Sequence, residues 1–153
     1  MFCGAISSFV LIPRNGPINF TKWLNGKKQG RRRAYMTGAL YGEFLREKVI
    51  PAVQEVVGED LSDVIWQDDQ DGKHRVKVVM DTIKEFFEER IEPEVGDAKL
   101  ADVWPIENIW GMLKEKTRGI EFTNENALIR RINQECRTIT IKPCQHMMDE
   151  IPK

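Results

Sequence analysis

Two carboxylates stand where chemistry is possible. Asp69 closes the short apolar run Val64-Ile65-Trp66 by way of Gln67 and Asp68, and Glu107 falls in the first turn of a helix opened by Trp104-Pro105. Each location favours a carboxylate beside a metal. Ligands commonly bind at a strand end in an α/β sheet, and a parallel neighbour would bring a second oxygen donor close. Hard divalent cations such as Mg²⁺ or Mn²⁺ require oxygen ligands, and two of them about 4 Å apart clamp a phosphodiester during in-line displacement. Gly111, one turn after Glu107, leaves room for a phosphate backbone to approach. Structural roles compete at both positions: a capping glutamate also sits where Glu107 does, and Asp69 also starts a turn with Asp71-Gly72.

A basic run is the other feature with chemical meaning. Lys27, Lys28, Arg31, Arg32 and Arg33 fill five of the seven positions from 27 to 33, with Gly26 and Gly30 as breakers. Closely spaced cations on an exposed loop track a polyanion or serve as a nuclear-import signal. A solvated loop explains them equally well. His74 begins the helix after the Asp69 segment and is a minor candidate beside it. Cys136, Cys144 and His146 fail to give four ligands at zinc-like spacing, and Cys136 fits the apolar stripe of its helix. Trp66, Trp104 and Trp110 flank the two acidic segments, where packing is the favoured role over stacking on an unpaired base.

The elements that must position these residues follow from periodicity. Residues 1 to 23 read as strands, 24 to 36 as the basic loop, and 37 to 57 as a helix kinked by Pro51 and ended by Gly58. A buried central strand is predicted over 63 to 69 and a long amphipathic helix over 74 to 91, striped by Val76, Val79, Met80, Ile83, Phe86, Phe87 and Ile91. Residues 99 to 103 read as strand or extended chain. A helix follows over 105 to 118, with further helices over 124 to 150. This order indicates one α/β layer fold across residues 1 to 153.

Composition sets the class. The chain has 153 residues, 41% hydrophobic and 31% charged, as expected of one ordinary soluble domain rather than a disordered or fibrous one. The uncharged run over residues 1 to 13 is too short for a membrane span and lacks the basic residues that precede a secretory core, so no membrane partner and no secretion are expected. Three widely spaced cysteines point to a reducing, intracellular compartment. Residues 1 to 48 hold nine Lys/Arg against two Asp/Glu, and residues 54 to 107 hold six against sixteen. A polyanion-facing front beside a cation-holding middle is one account of that division, and solvated acidic helix faces are the other.

Motif pattern adds to these readings. Asp69-Gln70-Asp71-Gly72-Lys73-His74, preceded by Trp66-Gln67-Asp68, resembles the second catalytic block of the Tc/mariner transposase superfamily, in which an aspartate ends a strand and a histidine follows five residues later. Asp102-Val103-Trp104-Pro105-Ile106-Glu107-Asn108-Ile109-Trp110 resembles the third block, usually written Asp-Leu-Asn-Pro-Ile-Glu-Asn-Leu-Trp. Between Asp69 and Glu107 lie 37 residues, a spacing found in the Tc-like branch. Gly4-Ala5-Ile6-Ser7, Gly16-Pro17-Ile18-Asn19-Phe20 and residues 41 to 51 resemble that superfamily's middle region, so the resemblance runs over nearly the whole chain.

The resemblance implies a ribonuclease-H-like fold of the retroviral-integrase type, a mixed sheet flanked by helices. Three carboxylates there hold two Mg²⁺ ions, water attacks a phosphodiester at the element end, and the freed 3′-hydroxyl attacks target DNA. Asp69 would be the second metal-binding residue, Glu107 the third, and His74 a neighbour. DNA is the implied partner, as transposon ends and target, in the nucleus, with a homodimer possible. The first aspartate of that family would precede Gly4, and the helix-turn-helix regions that read element ends are missing. Gln70, Gly72 and Trp104 also depart from the pattern. The expectation is a truncated catalytic domain lacking its first strand, marginal in stability and without metal-dependent nicking of its own. Alternatives are a domesticated, non-catalytic DNA- or protein-binding module, and another ribonuclease-H-like nuclease using Asp69, Glu107 and a further carboxylate such as Asp68.

Overall fold

Asn19 decides where the amino-terminal strands stop. In the computed structural model, which describes residues 1–28, 30, 34–69, 71–92 and 105–149, its side chain accepts a hydrogen bond from Lys22 N at 2.8 Å and caps helix α1 (Phe20–Gly26). The alternating run over 18 to 23 is therefore helical from Phe20 rather than extended. The reason is the spacing of Phe20 and Trp23, three apart, which lets both rings pack edge-on against Phe44 at 5.0 Å. The described chain is mixed α/β and falls into two compact units, residues 19 to 98 with Met1, and residues 2 to 18 with 99 to 153. None of its described helices is long and apolar enough to cross a membrane.

The first unit is built on a parallel strand pair and its crossover helix. Thr37 caps α2 (Gly38–Phe44), a wider π-helical turn (Leu45–Val49) follows, and α3 (Ile50–Val57) begins with Pro51 in its first turn. Pro51 brings no N–H and crowds the preceding turn, and the widened turn before it absorbs that strain. Strand β5 (Ile65–Gln67) leads through a 3₁₀ turn (Gly72–Arg75) into α4 (Lys77–Phe86), and β6 (Glu89–Ile91) returns parallel to β5 with Trp66 opposite Arg90. Phe44, Leu45, Ile50, Val53, Val79 and Ile83 are buried in this unit. Gly42 of α2 faces Thr82 and Val78 of α4.

Two sequence expectations fail here. The helix predicted to reach residue 91 ends at Phe86. Phe87 turns extended at φ −124°, buries its ring 4.9 Å from Trp66, and sends the next residues into strand pairing. Backbone pairing with β5 overrides the helical spacing of Phe86, Phe87 and Ile91. The buried central strand is also corrected. Trp66 and Arg90 share the covered face, while Ile65, 57% exposed, lies with Gln67, Glu89 and Ile91 on the open one. Parallel sheets are normally covered on both faces, and among the described residues this pair is covered on one.

The second unit packs short strands on three helices. Strands β1 (Phe2–Cys3), β2 (Ala5–Ile6), β3 (Leu11–Ile12) and β4 (Ile18–Asn19) are two residues each, with β4 at the junction of the units. Strands β2 and β3 pair antiparallel around a turn closed by Ser7 N donating to Val10 O at 2.9 Å. Helix α5 (Pro105–Thr117), α6 (Glu125–Cys136) and α7 (Ile141–Asp149) occupy the spans the sequence predicts. Leu11, Ile109, Leu113, Ile132 and Cys136 form the core, flanked by Phe2, Ile6, Trp110 and Leu128. Gly119, at φ +73°, follows α5 in the left-handed region that other residues avoid.

Candidate functional site

At the carboxyl end of β5 three acids stand within four positions, and each meets a cationic or imidazole side chain. The Asp68 carboxylate is buried and accepts a 2.9 Å hydrogen bond from Arg90 Nη2, both side chains being only 6% exposed. The register of the parallel pair produces this contact. Arg90 stands opposite Trp66 on the covered face, from which its guanidinium reaches the residue beyond the strand end. Arg90 also donates to Met80 Sδ and to the His74 carbonyl oxygen at 3.5 Å. Asp68 Oδ2 and Arg90 Nε are buried without hydrogen-bond partners, so neither group tolerates loss of the other.

Asp69 points to solvent, its side chain 62% exposed, with His74 Nδ1 2.6 Å from Oδ1. That contact is close but not aligned as a hydrogen bond. The same Oδ1 accepts from Asp71 N at 3.0 Å, which makes Asp69 the turn initiator its sequence position allowed. The Tyr41 ring stacks on His74 at 4.2 Å. Asp71 caps the 3₁₀ turn through Lys73 N at 2.9 Å and pairs with Lys73 Nζ at 2.7 Å. Those hydrogen bonds, the side-chain one foremost, hold its carboxyl below the usual aspartate range.

Glu107 belongs to the second unit, exposed in the first turn of α5. Beside it Ile109 is buried, and Trp110 packs near Gly4, where a Cβ would fall 3.3 Å from the indole. Gly111 has open space around it, as its place one turn after Glu107 suggests. Asp69 and Glu107 thus stand in different units.

The donors at the acidic turn are partly engaged within the protein. Asp68, the further carboxylate considered for a nuclease, is closed by Arg90, Asp71 is taken by Lys73, and one oxygen of Asp69 is already engaged. Among the described residues no group of three or more His, Cys, Asp and Glu side chains gathers as a metal site would need. The three thiols are free, and burial pushes Cys3 and Cys136 up to about 11, far from a ligating or nucleophilic state.

The basic run is divided. Lys27 turns back on its own unit, 2.6 Å from Glu43 and 2.8 Å from Glu47, with its ammonium over the Trp23 ring. The hydrogen bonds it donates to those two glutamates raise its pKa. Lys28 is exposed, and Arg31, Arg32 and Arg33 lie outside the described residues, as does Trp104. The open groove between α2 and α4 lies elsewhere, floored by Gly42 and Val78, and the rim cations Arg46 and Lys77 pair with Glu85 and Asp81.

Arg90 and Tyr41 were not singled out by sequence reasoning. Arg90 falls within the helix predicted over 74 to 91, so only the strand register reveals it. No protein-family model matches the chain, and no curated protein does either.

Proposed function

We propose that this chain is a transposase-type, ribonuclease-H-like scaffold that engages DNA and does not cut it on its own. Support for the family comes from the residue pattern around Asp69 and Glu107, from the strand end that carries Asp69, and from the helix turn that carries Glu107. Support for the absence of cleavage comes from one observation, the internal pairing of the acidic turn. With Asp68 on Arg90 and Asp71 on Lys73, two of the three carboxylates that would attract Mg²⁺ or Mn²⁺ are answered by cations of the protein itself, and one oxygen of Asp69 is engaged by the turn. The nucleus is the compartment that the resemblance implies.

The test is a nicking assay of the full chain on supercoiled plasmid with Mg²⁺ or Mn²⁺. The plasmid is expected to stay supercoiled. Nicking by the wild-type chain that disappears in Asp69→Ala or Glu107→Ala overturns the proposal.

A further inference from the structure

We propose that one face of α6, joined by the turn at Arg14 and Asn15, is a contact surface for a phosphodiester backbone. Its residues are separate from the acidic turn, although its ligand class rests on the nucleic-acid reading above. Asn126, Arg130, Asn133 and Arg137 recur at intervals of four, three and four. At about 100° per residue, that spacing places them within about 60° of arc on one side of the helix. Ile132 and Cys136, about 130° and 90° around the helix from the centre of that stripe, anchor the helix in the core.

The Arg14 turn is seated on the middle of this stripe. Gly16, at φ +126°, lies so close to α6 that a Cβ there would fall 2.7 Å from Asn133 Cγ and 3.1 Å from its Cα. Only glycine allows both that backbone conformation and that approach. Arg14, Asn15, Arg130 and Arg137 are therefore brought to one surface, and all four are exposed.

Charge sorting on α6 leaves this surface positive. Glu135, on the other side, holds Lys116 at 2.7 Å and Arg131 at 2.8 Å. Glu125 lies about 80° from Asn133, on the flank away from the arginines. Among the described residues, no hydrogen bond or ion pair engages the side chains of Arg14, Arg130 or Arg137. Guanidinium forks match phosphate oxygens in geometry, and the exposed Asn126 amide adds a donor. Arg130 and Arg137 are seven residues apart, about 10 Å along the axis, close enough for both to reach one short stretch of a backbone strand. The stripe has no apolar anchor of the kind that dominates protein interfaces, which favours a nucleic-acid backbone over an acidic peptide.

Binding of the full chain to a fluorescent 20-base-pair DNA duplex, without divalent metal, is measured by anisotropy from 50 to 200 mM salt. The same sequence as RNA duplex forms a second arm, and poly-glutamate serves as competitor. In R14Q/R130Q/R137Q the salt slope is expected to fall by about 2 to 3, at about 0.9 per lost phosphate contact, with affinity at least about tenfold weaker at 100 mM. The charge-retaining R14K/R130K/R137K is expected to keep the slope, which separates lost charge from lost folding. Equal slope losses on both duplexes support a surface that reads the shared backbone, and a loss on one alone assigns the surface to that polymer. An unchanged slope in the glutamine variant overturns the α6 surface while leaving DNA binding intact. Absence of wild-type binding to either duplex at 50 mM salt, or displacement by poly-glutamate at equal charge, overturns the phosphodiester assignment itself. The nicking assay reports on the acidic turn independently of these outcomes.

Discussion

The acidic turn of the first unit and the arginine face of the second treat charge in opposite ways. After β5, Asp68 and Asp71 are each closed by a cation of the same unit, one of them buried with its partner. On α6, one glutamate gathers two cations on one side and leaves Arg130 and Arg137 open on the other. Buried pairing makes a local structure dependent on both partners, because either group alone is stranded in low dielectric. Exposed, unpaired cations contribute little to folding and remain available to an external anion. An acidic cluster in a sequence is therefore no indication of an open cation site, and near-zero net charge does not preclude a positive surface.

The largest expected effect breaks the buried pair. Arg90→Met leaves Asp68 buried and uncompensated, and should lower unfolding free energy by about 3 to 5 kcal/mol in urea denaturation. Replacing both partners, Asp68→Leu with Arg90→Met, should recover most of that loss. A double variant no better than the single one would show that the pair is not what makes the turn fragile.

A smaller change probes the base of the arginine face. Asn124 caps α6, its side chain accepting from Ala127 N at 3.0 Å. Asn124→Ala should cost about 1 kcal/mol, with the DNA salt slope unchanged because the arginines keep their places on the helix. Loss of slope with intact helicity by circular dichroism would contradict the separation of folding from charge presentation.

The smallest effect is in pH. The side-chain hydrogen bond from Lys116, aided by the charges of Arg131 and Lys116, holds the Glu135 carboxyl below its ordinary value of 4.5. The unfolded chain thus takes up this proton first on acidification. The stabilisation from the pair is complete above about pH 4.5 and is lost as pH falls through the lower folded value. Glu135→Gln should flatten the midpoint-against-pH curve in that acid window and leave its shape near pH 7 unaltered. A midpoint curve identical to wild type below pH 4.5 would remove Glu135 from the account.

How much was legible varies with how local the signal is. The three carboxy-terminal helices were readable because each carries its own stripe and punctuation: Pro105 opens α5, Asn124 caps α6, and Cys136 lies on the buried side. Pro51 and Gly58 were readable for the same reason, since each acts on the turn it belongs to. Ile18 and Phe20 misled because their spacing of two suits a strand, and the choice fell to the packing of Phe20 and Trp23 on Phe44, 21 residues beyond Trp23. Residues 87 to 91 misled because an apolar spacing of four also occurs in a short strand that happens to pair.

By itself the sequence determined the chemical inventory: where the carboxylates and arginines stand, which short motifs surround Asp69 and Glu107, and which helices carry their own caps and stripes. Those properties depend on neighbours a few positions away, and covalent order fixes them. Tertiary structure alone decided which charges were answered. Arg90 meets Asp68 across 22 positions through the register of a parallel pair, and Gly16 meets Asn133 because one backbone lies against another. Coulomb attraction and steric contact depend on distance in space, so the same residue types became a closed acidic turn in one unit and an open arginine face in the other.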